Sequence, residues 1–276
     1  MKAIKYLKAP SDWLPEEDNP FTQDGSYGPE WICFYIHRKG ENPADFCGSG
    51  RNFLYTIRTD YKAVNLEYRL ADFLRYECKH GRNVILSFPD DIDVDTIVDE
   101  ALAGTPVQNV IREEDPKWVI HSTNPEAWDS IQHDGGLKSL SVLLKEGKDV
   151  LTVGFHQLGE PPDYAEYVML GKIEGVGSEY VVASQKKGRV FTEADAPYDP
   201  GVRLYFDNHR IIESGLGVRD GVHLMKVYHY LPLVPFLVTA VSVRDVDPEG
   251  DTAEWTPNTF WPAANSEFYR RIGECD

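Results

Sequence analysis

A polar triplet, His121, Ser122 and Thr123, directly follows the apolar residues Trp118, Val119 and Ile120. Aromatic and β-branched residues of this kind are typical of a buried strand. An imidazole and two hydroxyls at the end of a strand are held rigidly and can still face a cleft. The spacing therefore predicts a ligand-binding position where this strand meets the following loop.

The residues after the triplet predict a short helix that begins at once. Asn124 is a favourable N-cap, and Pro125 suits the first helical position. Trp128 and Ile131 lie three residues apart and share one face of such a helix. Gly135 supplies the left-handed residue that ends a helix. We therefore expect a strand, a polar turn and a short helix in sequence.

This arrangement resembles the first nucleotide-binding motif of the ADP-ribosyltransferase superfamily, in which a strand ends in His-x-Thr or His-x-Ser before a short helix and a Gly-Leu pair. Within that superfamily, the sequence is most similar to the C-terminal lobe of the RNA 2'-phosphotransferases. The matching residues are His121, Thr123, Trp128, Ile131, Gly136 and Leu137.

Three later segments are similar to the closing strands of the same family, and they occur in the same order. They are 202–207, 219–224 and 230–233. The resemblance implies an α+β fold with a split antiparallel β-sheet and flanking helices. We expect this ADP-ribosyltransferase-like domain over residues 116–276, preceded by an N-terminal α/β region over 1–115 whose role is unknown.

The resemblance also implies NAD as the cofactor. Transfer of ADP-ribose breaks the bond between nicotinamide and ribose through an oxocarbenium-like state, so the enzyme must position its substrate and stabilise positive charge. His121 and Thr123 would hold a ribose and the nicotinamide amide by hydrogen bonds. Ser122 joins the predicted cofactor-binding residues, although it points to the opposite face of the strand. The alternative is that His121 and Thr123 merely cap the next helix.

Further site residues follow from the same resemblance. Tyr164 as a catalytic residue and Tyr167 as a cofactor-binding residue could stack on an aromatic ring, whereas core packing is the alternative for both. Gly136 and His156 complete the predicted cofactor-binding set. The alternative for His156 is an ordinary surface histidine.

Arg219 is the third predicted catalytic residue, beside His121 and Tyr164. Its guanidinium could bind a phosphate with two parallel hydrogen bonds. The neighbouring Asp220 offers the alternative of a salt bridge within a turn. No Glu-x-Glu or Gln-x-Glu motif lies near the final strands, so the sequence assigns no catalytic carboxylate.

The predicted function is therefore transfer of ADP-ribose from NAD to an unidentified acceptor, which could be a protein, an RNA or a small molecule. One alternative is an RNA 2'-phosphotransferase that uses NAD as the phosphate acceptor. Residues 1–115 contain no convincing equivalent of the Arg-His pair that this family carries in its N-terminal lobe. The other alternative is a binding module for nucleotides or proteins that has no turnover.

Composition limits the partners. The chain has 276 residues, 42% of them hydrophobic, and a formal net charge of -17, so its surface repels nucleic acid phosphates on average. An RNA substrate would need a local basic patch, and four residues could form one. The alternative is that these residues belong to a solvated hairpin turn around Gly188. The patch residues are Lys172, Lys186, Lys187 and Arg189.

Four cysteines have spacings that match neither a metal site nor a dense disulfide framework, so we expect reduced thiols. His223 and His229 would face one side of a strand, but they lack a third ligand, and no metal site is predicted. The sequence shows no signal peptide and no apolar stretch near 20 residues, which favours a cytoplasmic protein without a membrane contact.

Hydrophobic periodicity predicts the remaining elements. Strands dominate the second half, which favours an α+β domain. The expected strands are 31–36, 53–57, 84–86, 118–120, 150–155, 180–184, 202–206, 222–228 and 236–243. The expected helices are 67–80, 91–103, the helix that follows Asn124, and 161–170.

Overall fold

The computed structural model describes residues 4–38, 41, 46–106, 109–150, 159–250 and 254–273. The chain forms two compact units. Unit 1 comprises Met1–Val107, Gly154–Tyr164 and Arg219–His223, and unit 2 comprises Gln108–Val153, Ala165–Val218 and Leu224–Asp276. The sequence predicted one boundary after residue 115. In the structure, two short later segments, Gly154–Tyr164 and Arg219–His223, also belong to unit 1.

Unit 1 contains a five-stranded sheet in the order β1-β5-β2-β4-β3. Strand β3 runs antiparallel to β4, and the other neighbouring strands are parallel. The strands are β1 (Leu7–Lys8), β2 (Trp31–Ile36), β3 (Phe46–Ser49), β4 (Tyr55–Thr59) and β5 (Asn83–Ser87). The helices are α1 (Leu66–Lys79) and α2 (Val94–Gly104).

Burial on both faces explains the apolar run of β2, in which every residue is buried. Cys33 and Tyr35 join a core with Trp13 on one face of the sheet. Phe34 points the other way and contacts Phe73 of α1, with 5.2 Å between the ring centroids. The predictions for β2, β4, β5 and both helices are confirmed, with small shifts at their ends.

Unit 2 contains a six-stranded antiparallel sheet in the order β10-β11-β8-β6-β9-β13, and a separate two-stranded sheet of β12 and β7. The strands are β6 (Trp118–Thr123), β7 (Gly136–Lys138), β8 (Tyr167–Lys172), β9 (Val202–Asp207), β10 (Gly217–Val218), β11 (Met225–Tyr228), β12 (Tyr230–Pro232) and β13 (Leu237–Ser242). The helices are α3 (Pro125–Asp134), α4 (Leu140–Lys145), α5 (Gly177–Lys187), α6 (Asn208–Glu213), α7 (Val243–Val246) and α8 (Pro257–Ile272).

The six-stranded sheet has two packed faces, because successive side chains of a strand point to opposite sides. On face A, Val119 of β6 packs in a cluster that includes Leu137 of β7 and Leu231 of β12. On face B, Ile120 packs in a cluster with Phe268 of α8. The small sheet therefore covers face A, and the C-terminal helix covers face B.

Helix α3 confirms the local prediction. The side chain of Asn124 accepts a hydrogen bond from the backbone N–H of Ala127 at 2.7 Å, and Pro125 occupies the first turn. Gly135 ends the helix with φ of 70°. Each of these signals lies within the segment itself, so sequence was sufficient to predict the helix.

The predicted strand over 180–184 is wrong, because these residues belong to α5. Glu179, Val182 and Ala183 are buried at three- and four-residue spacing, which is the period of a helix. The expected hairpin turn at Gly188 is likewise wrong, since this glycine has φ of 65° and caps the end of α5.

The predicted helix over 161–170 is also wrong. Residues Pro162–Glu166 form a short 3-10 helix, and β8 follows immediately. Val168 and Leu170 are buried, in the two-residue alternation of a strand. The predicted strand over 150–155 falls almost entirely outside the described residues.

The protein is a mixed α+β structure, as the sequence predicted. In the part of the chain that the structure describes, no helix is both long enough and apolar enough to cross a bilayer.

Candidate functional site at the end of strand β6

Strand β6 has unequal neighbours. It pairs with β9 along its whole length, from Trp118 to Thr123. With β8 it pairs only at Val119 and Ile120. The edge of β6 that faces β8 therefore carries no ladder pairs from His121 to Thr123, and we call residues 121–123 the open strand end.

The imidazole of His121 lies at the place where the β6–β8 ladder stops. Its Nδ1 is 3.2 Å from the backbone carbonyl oxygen of Met169 in β8. A carbonyl can only accept a hydrogen bond, so Nδ1 must carry the proton and donate it. In the neutral ring, Nε2 is then the acceptor nitrogen.

Burial lowers the pKa of His121, and the hydrogen bond to the Met169 carbonyl offsets only part of that effect. The ring is therefore neutral at pH 7. None of the described residues forms a hydrogen bond with Nε2 of His121. Nε2 is therefore a hydrogen-bond acceptor whose orientation is fixed by the Nδ1 contact to Met169.

Thr123 lies two residues after His121 and therefore shares its face of the strand. The residue is 6% exposed, and among the described residues nothing hydrogen-bonds to its hydroxyl. The cap of α3 is supplied by Asn124, so His121 and Thr123 do not serve as helix caps. This contact removes the structural alternative that the sequence had left open for both residues.

Ser122 points to face B, away from His121 and Thr123. Its hydroxyl donates to Oε1 of Glu179 at 3.1 Å, and both residues are buried. Ser122 belonged to the predicted cofactor-binding set. The structure instead gives it the structural contact that strand alternation offered as its alternative.

Gly136, another predicted cofactor-binding residue, has a packing role. A Cβ atom at this position would lie 2.4 Å from the Tyr230 ring and 2.6 Å from the carbonyl oxygen of Leu231. Such distances are shorter than van der Waals contact, so only glycine permits the close pairing of β7 with β12.

Val168 and Leu170 pack in the cluster on face A. Tyr167 precedes Val168 in the strand, so its side chain points to face B. Its ring contacts the Nζ of Lys226, which lies 4.4 Å from the ring centroid, and the edge of Tyr228. Tyr167 is therefore on the opposite side of the sheet from His121. Placing both residues around one dinucleotide would require the ligand to reach both faces.

The sequence did not single out Glu166, which immediately precedes β8. Because β8 is antiparallel to β6, the start of β8 lies at the same end of the sheet as the open strand end. Oε2 of Glu166 accepts a hydrogen bond from the Ser141 hydroxyl at 2.9 Å and lies 2.5 Å from Nε2 of His229. These two hydrogen bonds, His229 first, lower the pKa of Glu166, so it is ionised at neutral pH.

His229 has a backbone φ of 59°, in the left-handed region that non-glycine residues seldom adopt. Its backbone N–H donates to the carbonyl of Glu166, and its own carbonyl accepts from the N–H of Ser139. These contacts hold the strained residue in place. No local pattern in the sequence predicts this meeting of three segments.

Tyr164 and Arg219 belong to unit 1, whereas His121 belongs to unit 2. Tyr164 is 1% exposed, and its hydroxyl donates to Oε1 of Glu77 at 3.1 Å. Burial and the charge of Glu77 raise the pKa of Tyr164 well above its usual value. The residue is a core tyrosine, which was the alternative interpretation.

Arg219 begins the short segment that returns to unit 1, and it is 8% exposed. The next residue, Asp220, accepts hydrogen bonds from the backbone N–H groups of Val222 and His223 and lies 2.9 Å from Nδ1 of His223. This pattern is a turn built around a buried carboxylate. The remaining predicted residue, His156, lies outside the described residues.

The proposed basic patch is largely engaged in contacts of its own. Lys186 forms an ion pair with Asp199, and the Nζ of Lys187 lies 4.7 Å from the centroid of the Phe191 ring. Within the described ranges, no group of three or more histidine, cysteine or acidic side chains is placed to hold a metal ion.

Comparisons with protein-family models, with curated proteins and with solved structures find no match to this chain. The likeness to ADP-ribosyltransferases therefore depends on the motif residues alone, and the activity that it implies stays a prediction.

Proposed function

We propose that unit 2 binds NAD at the open strand end and transfers its ADP-ribose group to an acceptor. The observation that supports this most strongly is the state of His121. A neutral imidazole with a fixed acceptor nitrogen lies on the same face of β6 as Thr123, at the point where the β6–β8 ladder stops. The resemblance assigns both residues of the His-x-Thr motif to NAD binding.

The chemistry of these side chains fits the ligand. Ribose hydroxyls and the nicotinamide amide donate hydrogen bonds, and Nε2 of His121 accepts one. The hydroxyl of Thr123 can donate and accept. Bound NAD supplies a ribose carbon that becomes electron-deficient as nicotinamide leaves. The two side chains orient that ribose, and such positioning of the reacting group lowers the barrier.

Glu166 is our candidate for the carboxylate that the sequence left unassigned. It is ionised and partly exposed, and it precedes the strand that lies next to β6. Its contacts with Ser141 and His229 are both made by Oε2. A fixed negative charge at this end of the sheet would stabilise the oxocarbenium-like ribose.

The test is release of nicotinamide from labelled NAD by the purified chain, together with NAD binding measured by calorimetry. We expect His121→Ala to weaken NAD binding by about 10-fold to 100-fold, since a ligand hydrogen bond is worth roughly 1–3 kcal/mol. Thr123→Val should act in the same direction. The matched control is His133→Ala, which removes an exposed histidine from the last turn of α3.

Nicotinamide release that survives His121→Ala unchanged would refute the proposed site. The same assay separates the alternatives. Transfer of a 2'-phosphate from a short RNA to NAD would identify a phosphotransferase, and NAD binding without any nicotinamide release would identify a binding module. The acceptor is then sought among proteins, RNA and small molecules by following the labelled ADP-ribose.

A further inference from the structure

A buried polar network lies behind the open strand end, on face B. We propose that Glu179 is a positioning residue that acts through Ser122 to hold His121 and Thr123 in place. The ligand-binding part of this inference rests on the proposed function, while the structural part concerns the His121 ring alone.

Both carboxylate oxygens of Glu179 are engaged. Oε1 accepts from the Ser122 hydroxyl at 3.1 Å and from Nη1 of Arg203 at 2.5 Å. Oε2 accepts from the Tyr198 hydroxyl at 2.7 Å. Glu179 and Arg203 are both 0% exposed. The carboxylate is therefore fixed from three directions.

The guanidinium of Arg203 is fixed as well. Its Nε donates to the Tyr205 hydroxyl, and Nη2 donates to the carbonyl of Ile173 at 2.7 Å and to Oδ1 of Asn265. These partners come from β9, from the residue after β8 and from α8. The ion pair thus links α5, β9 and α8 into one rigid support.

A buried Glu179–Arg203 ion pair is not required for the stability of the fold. Apolar side chains of similar volume are often as stabilising as a buried ion pair, because desolvation of the charges offsets their attraction. A hydrophobic pair could not form the hydrogen bond that fixes the Ser122 hydroxyl. The network therefore provides position, which packing alone would not provide.

The network fixes β6 at the residues where the strand has few other backbone partners. Ser122 lies directly opposite Arg203 in the β6–β9 ladder. On its other edge, β6 has lost the β8 ladder from His121 onward. The Ser122–Glu179 hydrogen bond is thus an additional anchor at the residue between His121 and Thr123. Without it, the open strand end is held by the β9 ladder and the His121–Met169 contact.

Two matched substitutions separate position from stability. Ser122→Ala and Tyr198→Phe each remove one neutral hydroxyl that donates to Glu179, and each leaves the Arg203 pair intact. Only Ser122 lies on β6. We expect similar losses of thermal stability from the two variants, and different effects on His121.

The first measurement needs no ligand. The His121 imidazole is observed by nitrogen NMR, with its signals assigned by their loss in His121→Gln. We expect Ser122→Ala to shift the His121 signals and to speed exchange of its Nδ1 proton, whereas Tyr198→Phe leaves both unchanged. Equal effects of the two variants, or none in either, would overturn the inference even if the chain does not use NAD.

The second measurement concerns NAD. The KM for NAD should rise about tenfold in Ser122→Ala and less than about twofold in Tyr198→Phe, since a small displacement of a binding group is costly. Absence of NAD turnover in the unmodified chain refutes the proposed function, and the NMR comparison still decides the inference. An unchanged KM in Ser122→Ala with normal turnover contradicts the positioning role.

A double variant, Glu179→Leu with Arg203→Met, tests the same inference from the other partner of the Ser122 hydrogen bond. Removing both charges avoids leaving one charge buried alone. We expect this variant to fold with a cooperative transition near that of the unmodified chain, and to show displaced His121 signals. A well-folded double variant with unchanged His121 signals would overturn the proposal.

Discussion

Each unit contains a buried glutamate–arginine pair, and the two pairs have different surroundings. In unit 1, Arg82 contacts two carboxylates, those of Glu77 and Asp163. In unit 2, Arg203 contacts a single carboxylate, that of Glu179, and its other described partners are neutral. The unit 1 arginine therefore has a second source of negative charge, and the unit 2 arginine depends on one residue.

The two ion pairs also anchor different parts of the chain. Glu77 accepts a hydrogen bond from Tyr164, and Asp163 is the neighbour of that tyrosine, so the unit 1 pair fastens the returning segment to helix α1. The unit 2 pair holds Ser122 at the open strand end. The unit 1 network therefore anchors a returning chain segment, whereas the unit 2 network anchors the end of strand β6.

The largest predicted effect tests the difference in charge partners. Glu179→Ala leaves Arg203 buried without a carboxylate, and we expect it to lower the free energy of unfolding by about 3–5 kcal/mol. Glu77→Ala should cost less, about 1–3 kcal/mol, because Arg82 keeps Asp163. The measurement is urea denaturation, with local hydrogen exchange to locate the loss in each unit.

An equal loss in the two variants would show that the second carboxylate of unit 1 adds nothing. The control is Glu77→Ala combined with Asp163→Asn, which removes both acidic partners of Arg82. This double variant should approach the loss seen in Glu179→Ala.

The next prediction concerns pH and His121. Its pKa in the folded state lies below the usual value of 6.5, whereas the unfolded state keeps that value. As pH falls through about 6.5, the unfolded chain binds a proton that the folded ring does not, so stability is lost toward acid. This residue contributes a slope of at most about 1.4 kcal/mol per pH unit.

His121→Gln should remove that contribution, and the curve of unfolding free energy between pH 5 and pH 7 should become flatter. The exposed His133→Gln serves as control and should keep the slope of the unmodified chain. Glu166 acts in a lower window, because its lowered pKa makes its contribution disappear only as pH falls below the usual carboxylate range. A slope that persists in His121→Gln would contradict the lowered pKa of this ring.

The smallest predicted effect compares two asparagines that begin helices, one in each unit. Asn124 is extended and caps α3 with its side chain, whereas Asn65 begins α1 with φ of 62° and makes no side-chain cap. Asn124→Ser should therefore leave stability unchanged, and Asn65→Gly should do the same. Asn65→Ser should cost about 1 kcal/mol, because serine disfavours the left-handed conformation.

Thermal denaturation of the three variants checks this contrast. If serine is tolerated equally at both positions, the two helix starts do not differ in the way that their backbone angles indicate.

Sequence reasoning worked where the causes of structure are local. Helix α3 was predicted from residues 124–135, and β2 from a run of six apolar residues with the bounds that the structure shows. It failed for α5, where β-branched Val181 and Val182 favoured a strand. The helix instead buries Glu179 on one face, and that burial depends on an ion pair with Arg203, 24 residues further along the chain.

The same limit applies to the site. The motif residues His121 and Thr123 were found from sequence, and the structure places them on one face of β6. The proposed carboxylate, Glu166, was not predicted because its partner His229 lies 63 residues away, and no local signal connects them. Tyr164 and Arg219, grouped with His121 by resemblance, belong to unit 1 because their segments fold back there.

By itself, the sequence determined the α+β class, the strand that carries the polar triplet, and the helix that follows it, since capping residues and apolar runs act over a few positions. Only the tertiary structure decided which nitrogen of His121 carries the proton, which face Ser122 occupies and which carboxylate accompanies Arg203. Those properties depend on the carbonyl of Met169, which is 48 residues from His121, and on Glu179, which is 57 residues from Ser122. Contacts between distant residues exist only after the chain has folded.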